Sequence, residues 1–189
     1  MRVSLYFIFL TLLSCSSGSQ GTTTQVDTTK SVAKTDTTQQ QKDEEVDFRK
    51  EFISLYQKPV LIDTSYIGGG KNYEVIFHHF STMDNGLVVP AKYNFDTNKD
   101  FVTHNFVSDL TVLSDKDTLF KKHITKATFK SLLDTLETPL SKYATLLYPY
   151  LEIRGDTILI HYSISIPVTD VGIGVDVKFN RNGNYVIGQ

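Results

Sequence analysis

The sequence predicts an α+β fold: a mainly antiparallel sheet of about six to eight strands with one or two helices packed on one face. Three observations predict it. First, Ile158, Ile160, Tyr162, Ile164 and Ile166 alternate with Leu159, His161, Ser163 and Ser165, and Val171, Ile173, Val175, Val177 and Phe179 alternate with Gly172, Gly174, Asp176, Lys178 and Asn180. This two-residue period gives each of two strands one apolar face, with a turn at Pro167–Asp170 between them. Second, turn-forming clusters at Ser114–Asp117, Gly155-Asp156 and Asn182-Gly183 sit between extended runs, which is hairpin spacing. Third, Phe129, Leu132, Leu133 and Leu136 recur at helical spacing, a stripe expected to pack on the sheet.

The elements follow in chain order. Asp47 is an N-cap, and Phe48, Phe52, Leu55 and Tyr56 follow at helical spacing, so Phe48–Tyr56 reads as a short amphipathic helix that Lys58-Pro59 ends. Val60–Asp63 reads as a strand and Ile67–Lys71 as a loop. Its glycines lack the further glycine and the Ser or Thr of a phosphate-binding loop, because Ser65 and Asn72 stand at those places. Asn72–Phe80 alternates as a strand, Met83–Gly86 is a turn, and Pro90 makes Leu87–Phe95 an edge segment. Asn105–Leu113 and Thr118–Ile124 flank the Ser114–Asp117 turn. Thr125 caps the helix that carries Phe129, and Pro139, capped by Thr138, opens a second helical turn with Leu140, Tyr143, Ala144 and Leu147 facing inward. Tyr150–Arg154 and Thr157–Ile166 form the next hairpin, and Val171–Asn180 and Tyr185–Ile187 the last.

A chain of 189 residues, 40% hydrophobic and 12% aromatic, has enough apolar material for one ordinary domain, with Phe and Tyr supplying the aromatic packing in the absence of Trp. Lys and Arg number 19 against 21 Asp and Glu. The signs are mixed along the chain rather than gathered into a basic face, so no nucleic-acid footprint is expected.

The single cysteine, Cys15, cannot form an internal disulfide, and its position explains it. Arg2 is a positive start, Val3–Leu13 an apolar run too short for the roughly 20 residues of a membrane-spanning helix, and Ser14 a small residue before Cys15. Leu12-Leu13-Ser14-Cys15 resembles a bacterial lipobox. The resemblance implies removal of residues 1–14, a diacylglyceryl group on the Cys15 sulfur, and acylation, for example by palmitate, of the new amino terminus. An ordinary cleaved signal peptide with a chance cysteine, or a buried N-terminal strand, is the alternative. Residues 15–47 then form a tether rich in Ser, Thr and Gln that holds almost nothing to bury, so it is expected to be disordered. About 32 residues of flexible coil span on the order of 30 Å. Residues 48–189 form the globular domain.

Phe120, Lys122, Thr125, Lys126 and Phe129, then Ser163, Ser165, Pro167, Thr169 and Asp170, together with the Asn182-Gly183 turn, resemble a family of small bacterial envelope lipoproteins with a domain of unknown function. The resemblance implies a lipoprotein and brings no catalytic residue. Physically these residues read as caps and turns: Thr125 as a cap, Phe129 as the start of a core stripe, Asp170 closing its turn on local N–H groups.

Candidate chemistry is sparse. His78 and His79 are adjacent on a strand and point to opposite faces, while His123 and His161 have the means to meet across a sheet. No ligand pair has metal-site spacing, no Gly-x-Ser-x-Gly elbow occurs, and no cofactor is implied. Gly172 and Gly174 share a strand face. Glycine there predicts a close approach, by the helix with Phe129 and Leu132 or another segment of the chain, or by a protein partner on an open contact surface. The expected function is that of a non-catalytic binding or structural module, lipid-anchored at Cys15 in the cell envelope, most simply the outer membrane, and engaging an envelope protein. The alternatives are an envelope hydrolase or metal-dependent enzyme using His123 and His161 in one pocket, and an inhibitor or immunity-type lipoprotein with an exposed edge strand.

Overall fold

The computed structural model describes residues 48–93, 98–136 and 138–189. The expected signal peptide, Cys15, the tether, the Asp47 cap, Phe95 and Glu137 lie outside the described residues. The fold is α+β and mostly antiparallel sheet. Instead of one sheet of six to eight strands, the described residues form ten strands in three sheets. After a helical segment α1 (48–54) and a 3-10 turn at Leu55–Gln57, β1 (Val60–Gly68), β2 (Lys71–Ser81), β5 (Phe106–Ser114) and β6 (Asp117–Ile124) form one four-stranded sheet in the order β1-β2-β5-β6. A second sheet takes β7 (Thr145–Arg154), β8 (Thr157–Ser165), β9 (Gly172–Phe179) and β10 (Tyr185–Gly188) in the order β10-β9-β8-β7. Two three-residue strands, β3 (Leu87–Val89) and β4 (Phe101–Thr103), pair as a separate ribbon.

The two larger sheets stack on a shared core. Val75 and Phe77 of β2, Leu110 and Val112 of β5, Ile160, Tyr162 and Ile164 of β8, and Val175 and Val177 of β9 are all buried in one cluster. Rings meet across the gap: Phe120 stacks on Phe179 at 6.1 Å between centroids, and His79 lies 6.2 Å from Tyr162. Alternation therefore does what the period promised, but it does so on two facing sheets, each hiding one face and exposing the other.

The helices differ from the expectation. Lys126–Phe129 is a 3-10 turn, and only Lys130–Thr135 (α2) is α-helical; α3 (Leu140–Tyr143) is a single turn. Together they carry the chain from β6 in one sheet to β7 in the other. Their buried Phe129, Leu133 and Leu140 enter the core between the sheets, with the Phe129 ring edge-on to Tyr162 at 5.9 Å, so the stripe does not lie on the open face of a sheet. Thr125 does cap: its hydroxyl accepts from the Ala127 N–H, and the Thr128 hydroxyl accepts from the Thr125 N–H. Thr138 does not cap, since its buried Oγ1 has no hydrogen-bond partner among the described residues. Leu147, expected on the inner face of a second helix, belongs to β7, which begins at Thr145.

Several boundaries move for the same reason: pairing partners extend a strand past its apolar run. β1 continues to Gly68, and the expected Ile67–Lys71 loop shrinks to a two-residue turn at Gly69 and Gly70, φ 56° and 78°. Positive φ at both central residues is the type I′ hairpin turn. At the turn after β8, Thr169 takes the role expected of Asp170, its hydroxyl accepting from the Val171 N–H and donating to the Ile166 carbonyl. Among the described residues no helix is long and apolar enough to cross a membrane.

Candidate functional site

Gly172 and Gly174 lie exposed on the outer face of β9, with no helix over them. What approaches them is the neighbouring strand. A Cβ on Gly172 would collide with the Ser165 side chain, and one on Gly174 would come within 3.0 Å of His161 Cε1 and 3.4 Å of its Nε2. The register pairs Ser165 with Gly172, Ser163 with Gly174 and His161 with Asp176. The His161 ring thus bonds Asp176 through Nδ1 at 2.8 Å and leans its other edge over the bare backbone of Gly174. The glycines make room for side chains of β8, so the close approach comes from another segment of the chain and not from the helix.

The same face continues onto β7. Tyr150 is the register partner of His161, and the β7–β8 register shifts between Leu147 and Tyr150. Within that bulge Tyr148 has φ 48°, a left-handed conformation that a bulky residue adopts only where its surroundings impose it. The bulge leaves Tyr148 63% and Tyr150 61% exposed. Two tyrosines, an imidazole tied to a carboxylate, a serine pair bonded to each other (Ser163 Oγ to Ser165 Oγ, 2.5 Å) and a glycine floor make an open, aromatic and polar patch. Sequence reasoning found Gly172, Gly174 and His161 but missed both tyrosines. Tyr148-Pro149-Tyr150 was the available signal, a proline inside an extended run, which marks a bulge or an edge.

His123 and His161 are not brought together. His123 sits on the outer face of the first sheet, its Nδ1 2.7 Å from Asp109, while His161 occupies the outer face of the second. The faces point away from the common core, so each imidazole has a cross-strand aspartate of its own and neither reaches the other. His78 shares the outer row with Asp109 and stacks on Phe80 at 4.5 Å instead of turning toward the carboxylate. Among the described residues no group of three or more His, Cys, Asp or Glu is placed to hold a metal ion.

His79, as its adjacency to His78 required, points inward. It is buried, and its Nδ1 lies 2.9 Å from Ser108 Oγ, itself buried in β5. Burial, with a smaller contribution from the neighbouring His78, pushes its pKa down to about 4, so the ring is neutral near pH 7. Tyr162 shares this interior; burial drives its phenol well above the ordinary value against a smaller opposing effect of the Ser108 side chain, and Oη makes no hydrogen bond of good geometry among the described residues. Ser108 and His79 resemble a nucleophile and base only in residue type, because they are enclosed in core. A depression of about 340 Å³ lined by Asn72, Glu74, Leu113, Asp115 and Lys116 lies elsewhere, toward the β5–β6 turn, and contains neither paired histidine. No family model and no curated protein matches the chain.

Proposed function

We propose that this chain is an envelope lipoprotein, anchored through lipid on Cys15, whose β-rich domain is a non-catalytic binding or structural module for another envelope protein. The observation that carries the binding role is the Tyr148–Tyr150 bulge beside His161 and Gly174. Exposed tyrosines offer large rigid contact area with a polar tip, the residue type enriched at interface hot spots. The bulge also spends backbone strain on holding Tyr148 outward, and strain of that kind collects at functional sites. The outer-face serines and the glycine floor let a partner approach the sheet closely. The anchoring half of the proposal rests on the signal-like segment ahead of Cys15 and on the polar stretch after it.

One experiment tests both halves. Membranes from cells expressing the full chain are cross-linked and the chain is captured, alongside Cys15→Ser and a Tyr148→Ala/Tyr150→Ala double variant. Cys15→Ser should move the protein out of the detergent phase, and unchanged partitioning would remove the lipid anchor from the proposal. The double tyrosine variant should stay anchored yet lose its stoichiometric partner, by about 30-fold or more in affinity if the two rings are hot spots. Undiminished capture would exclude this face. A second reading, an inhibitor or immunity-type lipoprotein, is favoured by a different observation: the bare edge of β1. The hydrolase alternative was built around His123 and His161, which stand on different sheets.

A further inference from the structure

Among the described residues, β1 is the least defended of the long strand edges in the two larger sheets. β6 carries Lys121 and Lys122 and follows a register shift in β5; β7 is broken by its bulge and Pro149; β10 has four residues. Lysine, proline, bulges and shortness are the usual devices that keep an edge from pairing. β1 has nine residues, Val60–Gly68, with none of these and a single charge, Asp63.

Its free hydrogen-bonding groups follow from the turn. A two-residue type I′ turn at Gly69-Gly70 makes Gly68 and Lys71 the closing hydrogen-bonded pair. Alternation then directs the N–H and C=O of Val60, Ile62, Thr64, Tyr66 and Gly68 toward β2, and those of Leu61, Asp63, Ser65 and Ile67 toward open solvent. Those four side chains are all exposed on the outer face. Leu61, at 70%, and Ile67, at 81%, are the two most exposed large hydrophobic residues among those described.

We propose that β1 pairs with β1 of a second copy, antiparallel, about a two-fold axis through Thr64. That axis sets Leu61 opposite the partner's Ile67 and Asp63 opposite the partner's Ser65, and each reciprocally. Every pair joins residues whose backbone groups are free, and each exchanges two N–H···O bonds. The exposed aliphatics meet as cross-strand pairs, and the carboxylate faces a hydroxyl. An axis through Asp63 would oppose two like charges. One through Ser65 would put Leu61 against the Gly69 turn and Asp63 against Ile67. An axis between residues would set free groups against groups already bonded to β2. Axes through Ile62 or Tyr66 would pair only two of the four free residues within the strand, so the segment is self-complementary along its length about Thr64 alone, which is what an isologous contact demands. The result joins the two four-stranded sheets edge to edge. A strand edge of about 30 Å buries less than the roughly 800 Å² per partner of a standard interface, so the expected dimer is weak, on the order of micromolar.

The test is a site-directed disulfide in the full chain. Thr64 on the axis would face the partner's Thr64 as a non-hydrogen-bonded pair, about 4.5 Å between Cα atoms, within disulfide range. In a Cys15→Ser background, which removes the chain's only native thiol, Thr64→Cys should oxidise to a species of twice the chain mass. Thr118→Cys, on the lysine-bearing β6 edge, should remain monomeric. Adding Ser65→Lys should slow the Thr64→Cys cross-link about tenfold or more, by placing lysine on the edge. Sedimentation of the native-sequence chain should show mass rising with concentration. The proposal is overturned if Thr64→Cys links no faster than Thr118→Cys, if Leu61→Cys alone links faster than Thr64→Cys, if the native chain stays monomeric up to about 200 µM, well above the expected micromolar range, or if β1 cross-links only to a foreign strand.

Discussion

Tyr162 shows how one atom can oppose a residue's own packing. Its ring is fully buried and meets Phe129 edge-on, yet Oη makes no hydrogen bond of good geometry among the described residues, the Ser108 side chain being near enough only to offset part of the effect of burial on the phenol. A buried hydroxyl without a partner costs about 1–3 kcal/mol. Tyr162→Phe keeps the ring and deletes the orphan, so it should stabilise the domain by about 1 kcal/mol in urea denaturation. A loss of stability would mean that the hydroxyl is satisfied in solution. Nothing local in the sequence distinguishes Tyr162 from its isoleucine neighbours, because the period places it inside but says nothing of what its oxygen will meet. Asp84 is the opposite case. Burial pushes its carboxyl up, but the Asn105 side chain at 2.8 Å and the N–H groups of Gly86 and Asn105 at 2.9 and 3.0 Å hold it well below the ordinary range. The Met83–Gly86 turn was legible; its anchor on Asn105, 21 residues later, was not.

At the scale of elements, caps and hairpin turns were the most readable features, since their chemistry is local. Thr125 and Thr138 make the contrast testable. Both precede helical turns, but only Thr125 completes reciprocal bonds with the turn it begins. Thr125→Ala should cost about 1 kcal/mol, whereas Thr138→Ala, which removes a buried hydroxyl without a partner, should cost nothing measurable or stabilise slightly. Equal losses in denaturant midpoints would contradict this. Elements set by tertiary contacts were less readable. Leu140, Tyr143, Ala144 and Leu147 keep helical spacing, yet the chain leaves the helix after Tyr143 because Thr145–Leu147 find partners in Ser163–Ser165. β1 hid its length because Leu61 and Ile67 interrupt the polar side of its alternation. That irregularity is the one the proposed pairing of two copies explains.

For the whole molecule, the buried His79 makes global stability depend on pH. Its pKa is depressed in the folded state, from 6.5 to about 4, so between those values the unfolded chain binds the extra proton. Stability from this group is complete above about pH 6.5, falls as the pH drops toward 4, and loses about 3 kcal/mol across that window. Asp84 adds a loss in the same direction at lower pH, below the ordinary carboxylate range. Thermal melts from pH 7 to 4 should show the midpoint falling steadily. The double variant His79→Leu/Ser108→Ala, which removes both partners of the buried bond, should flatten that slope; an unchanged slope would assign it to other groups.

By itself, the sequence determined the inward and outward sides of the late strands, the hairpin turns and the α+β class, because two-residue alternation and turn chemistry act within a few residues. It also supplied the whole expectation of lipidation at Cys15, outside the described residues. Tertiary structure alone decided that the strands divide between two facing sheets, that the helices form the crossover between them, and that His123 and His161 stand on different outer faces. Strand order and register are long-range choices that the period of two leaves open. They made Asp176 the partner of His161, set Tyr150 beside it, and left β1 as a bare edge.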